Sequence, residues 1–258
     1  MYFIAAAQIK VVKFCFFLNA RVGMSGDLEL ISKNTGAWIV IAAFNESSVI
    51  EGVVRDVRRQ FSNVVVVDDC SSDDTLARAE RAGAAVCRHV VNLGQGAALQ
   101  TGLKYALRNG ADVLVTFDAD GQHRVEDAVA MVERIASGDV DVLLGSRFLE
   151  AESIGMSKSK RLLLAAATIF TRLTTGMKVT DSHMGLRCFS RRAASLIEIR
   201  QNRMAHASEI LSIIKRHRLR YEEFPCVVIY TEYSKRKGQR MTGAFDVVLD
   251  LILRGLYR

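Results

Sequence analysis

The sequence predicts an α/β protein with a mainly parallel, Rossmann-like central sheet and helices on both faces. From Trp38 onwards, apolar runs of strand length alternate with segments whose apolar residues recur at helical spacing. These runs are continuous, which is typical of strands that are buried on both faces. Polar clusters follow the ends of several runs, at the edge where such sheets bind ligands.

The first part of the chain alternates strands and helices in a regular order. Because each predicted strand is followed by a helix, neighbouring strands should run parallel. Gly83 and Gly110 follow predicted helices, at the position where glycine commonly ends them. The predicted strands are 38–44, 63–69, 84–89, 112–118 and 140–148, and the predicted helices are 46–61, 71–83, 94–110 and 124–138.

The second part of the chain has a different rhythm. A long apolar helix with a basic start is predicted first, then a strand or turn followed by a helix, an amphipathic helix and a strand. These segments are 160–176, 181–197, 207–219 and 220–230. We find no repeat and no linker, so we expect an N-terminal extension over 1–36, one domain over 37–243 and a C-terminal amphipathic helix over 244–258.

Charge is divided unevenly along the 258 residues. Residues 1–150 contain 15 Lys and Arg against 19 Asp and Glu, a net charge of −4, whereas residues 151–258 contain 20 against 9, a net charge of +11. The basic half suits phosphates, nucleic acid or an anionic membrane, or it is a solvated surface with no partner. Five scattered cysteines without a CxxC pair argue against a disulfide or zinc framework.

The N-terminal segment is apolar but is interrupted by Lys10 and Lys13, so it does not reach the ~18 uninterrupted apolar residues of a membrane span. It is either an extension upstream of a start at Met24 or an interfacial helix.

Two carboxylates end the fourth predicted strand, in the stretch VTFDADGQH. Asp118 and Asp120 are one residue apart and converge if a turn follows. Since close carboxylates raise the pKa of one of the pair, a bound divalent cation is favourable there. Mg²⁺ or Mn²⁺ suits oxygen ligands, with Gln122 as a third candidate ligand and His123 as a weaker one. The alternative is a helix cap and a solvated acid.

Two other motifs are incomplete. The stretch GQGAAL contains Gly94 and Gly96, but Leu99 stands at the third glycine of a dinucleotide fingerprint and the stretch follows the third strand. We expect its glycines to bring backbone amides close to a group at the helix start. The stretch DADGQ resembles the nucleophile loop of haloacid dehalogenase phosphatases, but Gln122 replaces the threonine.

Seven motifs occur in one order between about Trp38 and Gln239. They are AAFNE, VVVVDDCSSDDT, NLGQGAALQTGL, DADGQ, GSRF, TDSHMGLRCFSR and YSKRKGQ. Together they resemble the family 2 inverting glycosyltransferases with the GT-A fold, and most of all the dolichyl- and polyprenyl-phosphate mannosyl- and glucosyltransferases. The resemblance implies that a hexose moves from a UDP- or GDP-sugar to a polyprenyl phosphate or another lipid-linked or glycan acceptor in cell-envelope glycan synthesis, with Mg²⁺ or Mn²⁺ as cofactor.

The resemblance also implies donor-binding residues. The first motif is usually Pro-x-Tyr-Asn-Glu, and Ala42 and Phe44 depart from it, so base stacking is retained while a tyrosine hydroxyl contact is lost. Glu46 would bind the nucleoside. With Gly96 added from the helix start, the nucleotide-binding candidates are Ala42, Phe44, Glu46, Val67, Asp68, Asp69, Gly96, Asp118, Ala119 and Asp120, and the metal ligands are Asp118, Asp120 and Gln122.

Four further residues match positions that act in the reaction. Arg147 corresponds to an arginine on the donor phosphates, and Asp181 to the acidic position of acceptor-activating bases, or else to a cap before a turn. Lys235 and Lys237 lie in a loop that closes over phosphates, or else in a solvated charge run. Arg187 is either structural or phosphate-facing.

We expect a cytoplasmic protein that is peripheral on the inner face of the membrane and has no nucleic-acid partner. The basic half and the helix 244–258 would hold it there, because no apolar stretch in the chain is long enough to span a bilayer. Two alternatives remain. A nucleotide-sugar pyrophosphorylase should have a glycine-rich and basic first loop, which AAFNESS is not. A non-catalytic nucleotide-sugar-binding module would not need so full a set of acids and bases.

Overall fold

The computed structural model describes residues 36–149, 156, 158–202, 205–230 and 233. The predicted N-terminal extension, the C-terminal helix 244–258 and the two candidate lysines Lys235 and Lys237 therefore lie outside the described residues. The domain boundaries stay predictions.

A seven-stranded sheet forms the centre of the described structure, in the order β3-β2-β1-β4-β6-β5-β7. The pairs within β3-β2-β1-β4 and the pair β5-β7 are parallel, while β6 runs antiparallel to β4 and β5. The mainly parallel sheet is thus confirmed. The strands are β1 (Ala37–Ala43), β2 (Asn63–Asp68), β3 (Ala85–Arg88), β4 (Val113–Asp118), β5 (Val142–Ser146), β6 (Arg187–Ser190) and β7 (Tyr221–Pro225).

Helices cover both faces of the sheet, because apolar residues on each side of the strands need a partner. One core layer joins the sheet to α1, α2 and α4, and the other joins it to α3, α6 and α7. The helices are α1 (Ile50–Arg58), α2 (Thr75–Arg81), α3 (Gln95–Arg108), α4 (Val125–Ala136), α5 (Lys158–Thr175), α6 (Arg191–Leu196) and α7 (His206–Arg216).

Helix α1 and strand β7 are among the elements that are shorter than their sequence patterns indicate. Helix α1 begins at Ile50 rather than near residue 46, because the backbone amides of Glu46 and Ser47 donate to Thr75 and Asp73 and hold a turn there. Strand β7 ends at Pro225, and Val228 beyond it forms an isolated bridge with His123.

Helix α3 packs closely on the sheet at Gly102. A Cβ atom added to Gly102 would overlap Val40 of β1, so only glycine allows this approach. The close packing brings the start of α3 to the carboxyl edge of the sheet, where the polar clusters lie.

None of the helices in the described part of the chain is long and apolar enough to cross a bilayer.

Candidate active site

The strand register places the polar clusters side by side, as the sequence pattern predicts. Ala42 in β1 is paired with Val67 in β2 on one side and with Asp118 in β4 on the other. The next row pairs Ala43 with Asp68. The carboxyl ends of β1, β2 and β4 therefore end together and form the floor of the site.

Asp118, at the end of β4, is held from two sides. Its Oδ2 lies 2.8 Å from Nε2 of His123, and its Oδ1 accepts a hydrogen bond from the Gln95 side chain at 3.3 Å. Burial alone would raise the pKa of Asp118, but His123, His206 and Arg147 together outweigh burial and lower that pKa below its ordinary value. Asp118 is therefore ionised and oriented.

The pKa of Asp120 is shifted in the opposite direction from that of Asp118. Burial and the neighbouring charge of Asp118 raise the pKa of Asp120 from 3.8 to about 6, and Glu46 also contributes to the rise. Gln122 donates to this carboxylate twice, through its backbone amide at 3.1 Å and through its side-chain nitrogen at 2.7 Å. The negative charges of the two carboxylates therefore repel each other, as expected where two carboxylates are placed to bind one cation.

Gly185 forms one wall around Asp118. A Cβ atom at residue 185 would overlap both carboxylate oxygens of Asp118. The Gly185 carbonyl also accepts a hydrogen bond from the Thr116 hydroxyl of β4 at 2.7 Å, which ties the two segments together. The absence of a side chain at Gly185 therefore makes room for the Asp118 carboxylate.

The loop after β1 carries the nucleoside candidates. Phe44 is 43% exposed. Glu46 is buried, and its Oε2 accepts a 2.6 Å hydrogen bond from the hydroxyl of Tyr233. Burial and this bond to Glu46 raise the pKa of Tyr233 to about 12, so the phenol remains a neutral donor.

Asp69 organises the approach to α3. Its Oδ1 accepts from the Leu93 amide at 2.9 Å and lies 2.7 Å from Nδ1 of His89, while its Oδ2 accepts from the Gly94 amide at 2.6 Å. His89 is bonded in turn to the Thr101 hydroxyl at 2.9 Å. Asp69 thus fixes the turn that begins α3.

Arg147 and Asp181 form a buried ion pair. Nε of Arg147 lies 2.6 Å from Oδ2 of Asp181, and the other guanidinium nitrogens donate to the Tyr230 hydroxyl at 3.0 Å and the His183 carbonyl at 3.2 Å. Burial disfavours the charged guanidinium, but Asp181 and Tyr230 together more than offset this and raise the pKa of Arg147 above its ordinary value. The pair is a fixed dipole beside the carboxylates.

Comparison with known proteins identifies the family. A model of glycosyl transferase family 2 matches residues 38–196. The chain belongs to this family. An uncharacterized protein of Methanocaldococcus jannaschii is 36% identical over 224 residues, which are 85% of this chain and 92% of the relative. The UDP-N-acetylglucosamine–dolichyl-phosphate N-acetylglucosaminyltransferase of Methanococcus voltae is 32% identical over 237 residues, 84% of this chain and 94% of the relative.

Solved structures share the fold of this glycosyltransferase. Glucosyl-3-phosphoglycerate synthase from Mycobacterium tuberculosis, in complex with Mg²⁺ and UDP, matches with a TM-score of 0.65 over 90% of this chain and 84% of that chain, at 19% identity. The same enzyme with Mn²⁺, UDP-glucose and phosphoglyceric acid matches with a TM-score of 0.62 over 81% and 76% of the two chains, at 21% identity. The GT-A fold is therefore confirmed.

Several predicted residues of the glycosyltransferase contact its own backbone or core. Val67 and Ala119 are buried in the core, and Asp68 accepts from the Ser71 amide at 3.3 Å. The Gly96 amide donates to the Asn202 carbonyl at 2.8 Å, so the group that approaches this helix start is a neighbouring loop. Arg187 donates to backbone carbonyls, including that of Met184 at 3.1 Å, which is the structural alternative. Binding roles for the candidates stay predictions.

Three residues of the site were missed or undervalued in the sequence. His123 was a weak ligand candidate but contacts Asp118 directly, and its place five residues after Asp118 was the only indication. Gly185 lies in the TDSHMGLRCFSR motif, where its glycine could have been noticed. Nothing in the sequence pairs Tyr233 with Glu46, since 187 positions separate them.

We expect Asp69→Asn to destabilise the protein by about 1 to 3 kcal/mol, because an amide nitrogen would face donors that Asp69 now accepts from. Urea unfolding measures the change. Asp74→Asn, at the N-cap of α2 where no side-chain cap bond forms, is the control. An equal loss of stability in both variants would contradict the role of Asp69 in fixing the turn that begins α3.

Proposed function

We propose that this glycosyltransferase transfers a hexose, with inversion, from a UDP- or GDP-sugar to a polyprenyl phosphate or another lipid-linked or glycan acceptor in cell-envelope glycan synthesis. The observation that carries the proposal is the carboxylate pair at the end of β4, where burial and the charge of Asp118 raise the pKa of Asp120 to about 6. A site that has to hold two like charges together favours a divalent cation and the diphosphate that comes with it.

The residues fit Mg²⁺ or Mn²⁺. Asp118 and Asp120 would hold the ion, with Gln122 as a further candidate. The described residues contain no group of three or more His, Cys, Asp or Glu that could hold a metal, so the protein would leave positions for phosphate oxygens and water. When bound, the cation would supply positive charge to the leaving diphosphate.

Protein groups would bind the donor and stabilise the leaving group. Phe44 and Glu46 would take the nucleoside at the carboxyl ends of β1 and β2. Arg147 would stabilise the negative charge that develops on the diphosphate, since its own charge is secured by Asp181 and already acts on Asp118. Lys235 and Lys237 would close over the phosphates, a role supported by the contact of nearby Tyr233 with Glu46.

The ion pair favours an acceptor that is already anionic. In the transfer, the bond from the anomeric carbon to the diphosphate breaks, and an acceptor oxygen forms a bond to that carbon from the opposite face. A phosphate oxygen needs no base, whereas a sugar hydroxyl would need Asp181 to leave Arg147. We therefore assign Asp181 first to positioning Arg147, with the base role kept for a hydroxyl acceptor.

The acceptor class is supported by relatives. Besides the Methanococcus voltae enzyme, the polyprenol monophosphomannose synthase of Mycolicibacterium smegmatis is 29% identical over 186 residues, 69% of this chain and 70% of the relative. These names, together with the +11 charge of residues 151–258, support a cytoplasmic protein on the inner face of the membrane.

The test is a panel of UDP- and GDP-sugars with Mg²⁺ or Mn²⁺, with polyprenyl phosphate present or absent. We expect nucleoside diphosphate and a lipid-linked sugar, both lost when the metal is chelated. Formation of a sugar 1-phosphate and nucleoside triphosphate from pyrophosphate would instead indicate the pyrophosphorylase alternative. Binding without turnover of any donor would indicate the non-catalytic module.

A further inference from the structure

Helix α5 exposes four large apolar residues. Leu162, Ile169 and Leu173 are 74%, 57% and 80% exposed, and Leu163 beside them is 37% exposed. Spacings of seven and four residues place the first three on one side of the helix. A single exposed leucine needs no explanation, but a continuous apolar stripe along a helix indicates a surface that contacts another apolar phase. We call these four residues the α5 face.

The opposite side of α5 is polar and buried. Thr168, Thr171 and Thr175 are 4%, 0% and 8% exposed. The hydroxyls of Thr171 and Thr175 donate to backbone carbonyls one turn earlier in the helix, and the Thr168 hydroxyl lies 3.3 Å from that of Ser182. An ordinary amphipathic helix in water buries its leucines, whereas α5 buries these three threonines and exposes the leucines of the α5 face.

The charge around the α5 face is positive. The 18 residues of α5 include four basic side chains and no Asp or Glu. Arg161 stands near the start of the helix and Arg172 near its end, and both are exposed, so basic residues lie at both ends of the apolar stripe. Two copies packed through this face would bring like charges together, with no acid on the helix to pair them. An anionic lipid surface provides both the apolar phase and the opposite charge.

Helix α5 is attached to the segment that builds the catalytic site. Besides the Thr168 contact with Ser182, Nε of Arg172 donates to the Val179 carbonyl. The same segment continues through Asp181 to Gly185, which packs against Asp118. A membrane surface that binds α5 would therefore lie beside the carboxylates of Asp118 and Asp120.

We propose that the α5 face docks on an anionic bilayer and brings residues 179–185 to the membrane surface, where a lipid-phosphate headgroup is accessible. The inference rests on the proposed function, because docking serves sugar transfer only if the acceptor lies in the membrane. Insertion of Leu162, Ile169 and Leu173 into the membrane interface does not itself depend on catalysis.

The experiment is flotation of the full chain with vesicles of mixed phosphatidylcholine and phosphatidylglycerol, and with phosphatidylcholine vesicles alone. The test variant is Leu162→Gln, Ile169→Gln and Leu173→Gln combined, since glutamine is a good helix former and the sites are exposed. The matched control is Val90→Gln with Val91→Gln, at sites that are 92% and 55% exposed after β3. We expect the test variant to lose at least about tenfold in partition to the anionic vesicles and the control to bind like wild type.

Four results would overturn the docking proposal. They are wild-type binding by the test variant, equal loss in the control, loss of binding only when residues 244–258 are deleted, and lipid-free self-association that disappears in the test variant. The third result would assign the membrane contact to residues 244–258, and the fourth would assign the α5 face to a second copy of the chain.

A second readout separates this inference from the proposed function. Sugar transfer to a short-chain prenyl phosphate in free solution should be the same in wild type and in the test variant. Vesicle binding without any transfer would overturn the function and leave the docking intact. Transfer without vesicle binding would overturn the docking and leave the proposed function intact.

Discussion

Gly185→Ala is expected to lower sugar transfer about 10²-fold while the protein remains folded, since misplacing a reacting group by about 1 Å costs that much. A methyl group at residue 185 would overlap both oxygens of Asp118, which must then move away from His123 and Gln95. The overlap is with the end of a side chain rather than with backbone, so we expect the carboxylate to shift and the fold to persist.

Steady-state transfer and Mn²⁺ titration by calorimetry measure this effect, and thermal unfolding monitors the fold. Gly52→Ala is the matched control, because a Cβ atom there would meet nothing within 4 Å and the residue lies on the exposed side of α1. It should transfer sugar like wild type and be slightly more stable, as alanine is the better helix former. Normal Mn²⁺ affinity in Gly185→Ala would exclude Asp118 as a ligand.

Asp120→Asn is expected to reduce metal-dependent transfer by about 10²-fold or more, because the amide keeps the shape of the side chain but removes the charge that would hold the cation. Retained transfer would exclude the metal assignment. Asp56→Asn, in an exposed i,i+3 ion pair with Arg59 on α1, should leave transfer unchanged.

The same substitution should change how stability depends on pH in metal-free protein. The pKa of Asp120 is about 6 when folded and 3.8 for the ordinary side chain, so the native state binds more protons between these values. This residue's contribution is therefore fully present below about pH 4 and lost as pH rises through 6, a decrease of roughly 1 to 3 kcal/mol. Asp120→Asn should lack that decrease in urea unfolding.

Added Mn²⁺ gives the complementary measurement. An ion that binds only the native state stabilises it by mass action, so wild type should gain stability with Mn²⁺ at pH 7 and Asp120→Asn should gain less. Equal stabilisation of both proteins would place the ion elsewhere.

Local pattern was sufficient for the sheet and for the edge where the site lies. Continuous apolar runs from Trp38 onwards predicted strands that the structure confirms, and polar residues at their ends predicted which edge binds ligands. Strand β6 was less clear, since Arg187–Ser190 is only four residues long and was predicted as a strand or a turn. Its antiparallel direction depends on the path of the chain through α5, which has no local signature.

The sequence predicted where the site lies better than it predicted which side chains contact one another there. Asp69 reads as a nucleotide ligand beside Asp68, yet its carboxylate is bonded to the amides of Leu93 and Gly94. Arg147 and Asp181 were assigned to different reactants, yet they form one ion pair across 34 positions. Such pairings depend on which loops meet in space, and hydrogen-bonding capacity alone does not select among the available partners.

The sequence by itself determined the fold class, the family resemblance and the pair Asp118 and Asp120, because strand periodicity and motif order are properties of neighbouring residues. Tertiary structure decided that Gly185 makes room for Asp118 and that α5 turns its leucines outward. The physical reason is that steric fit and exposure arise only when segments distant in the chain pack together, so a glycine or an apolar helix has no assigned partner until they do.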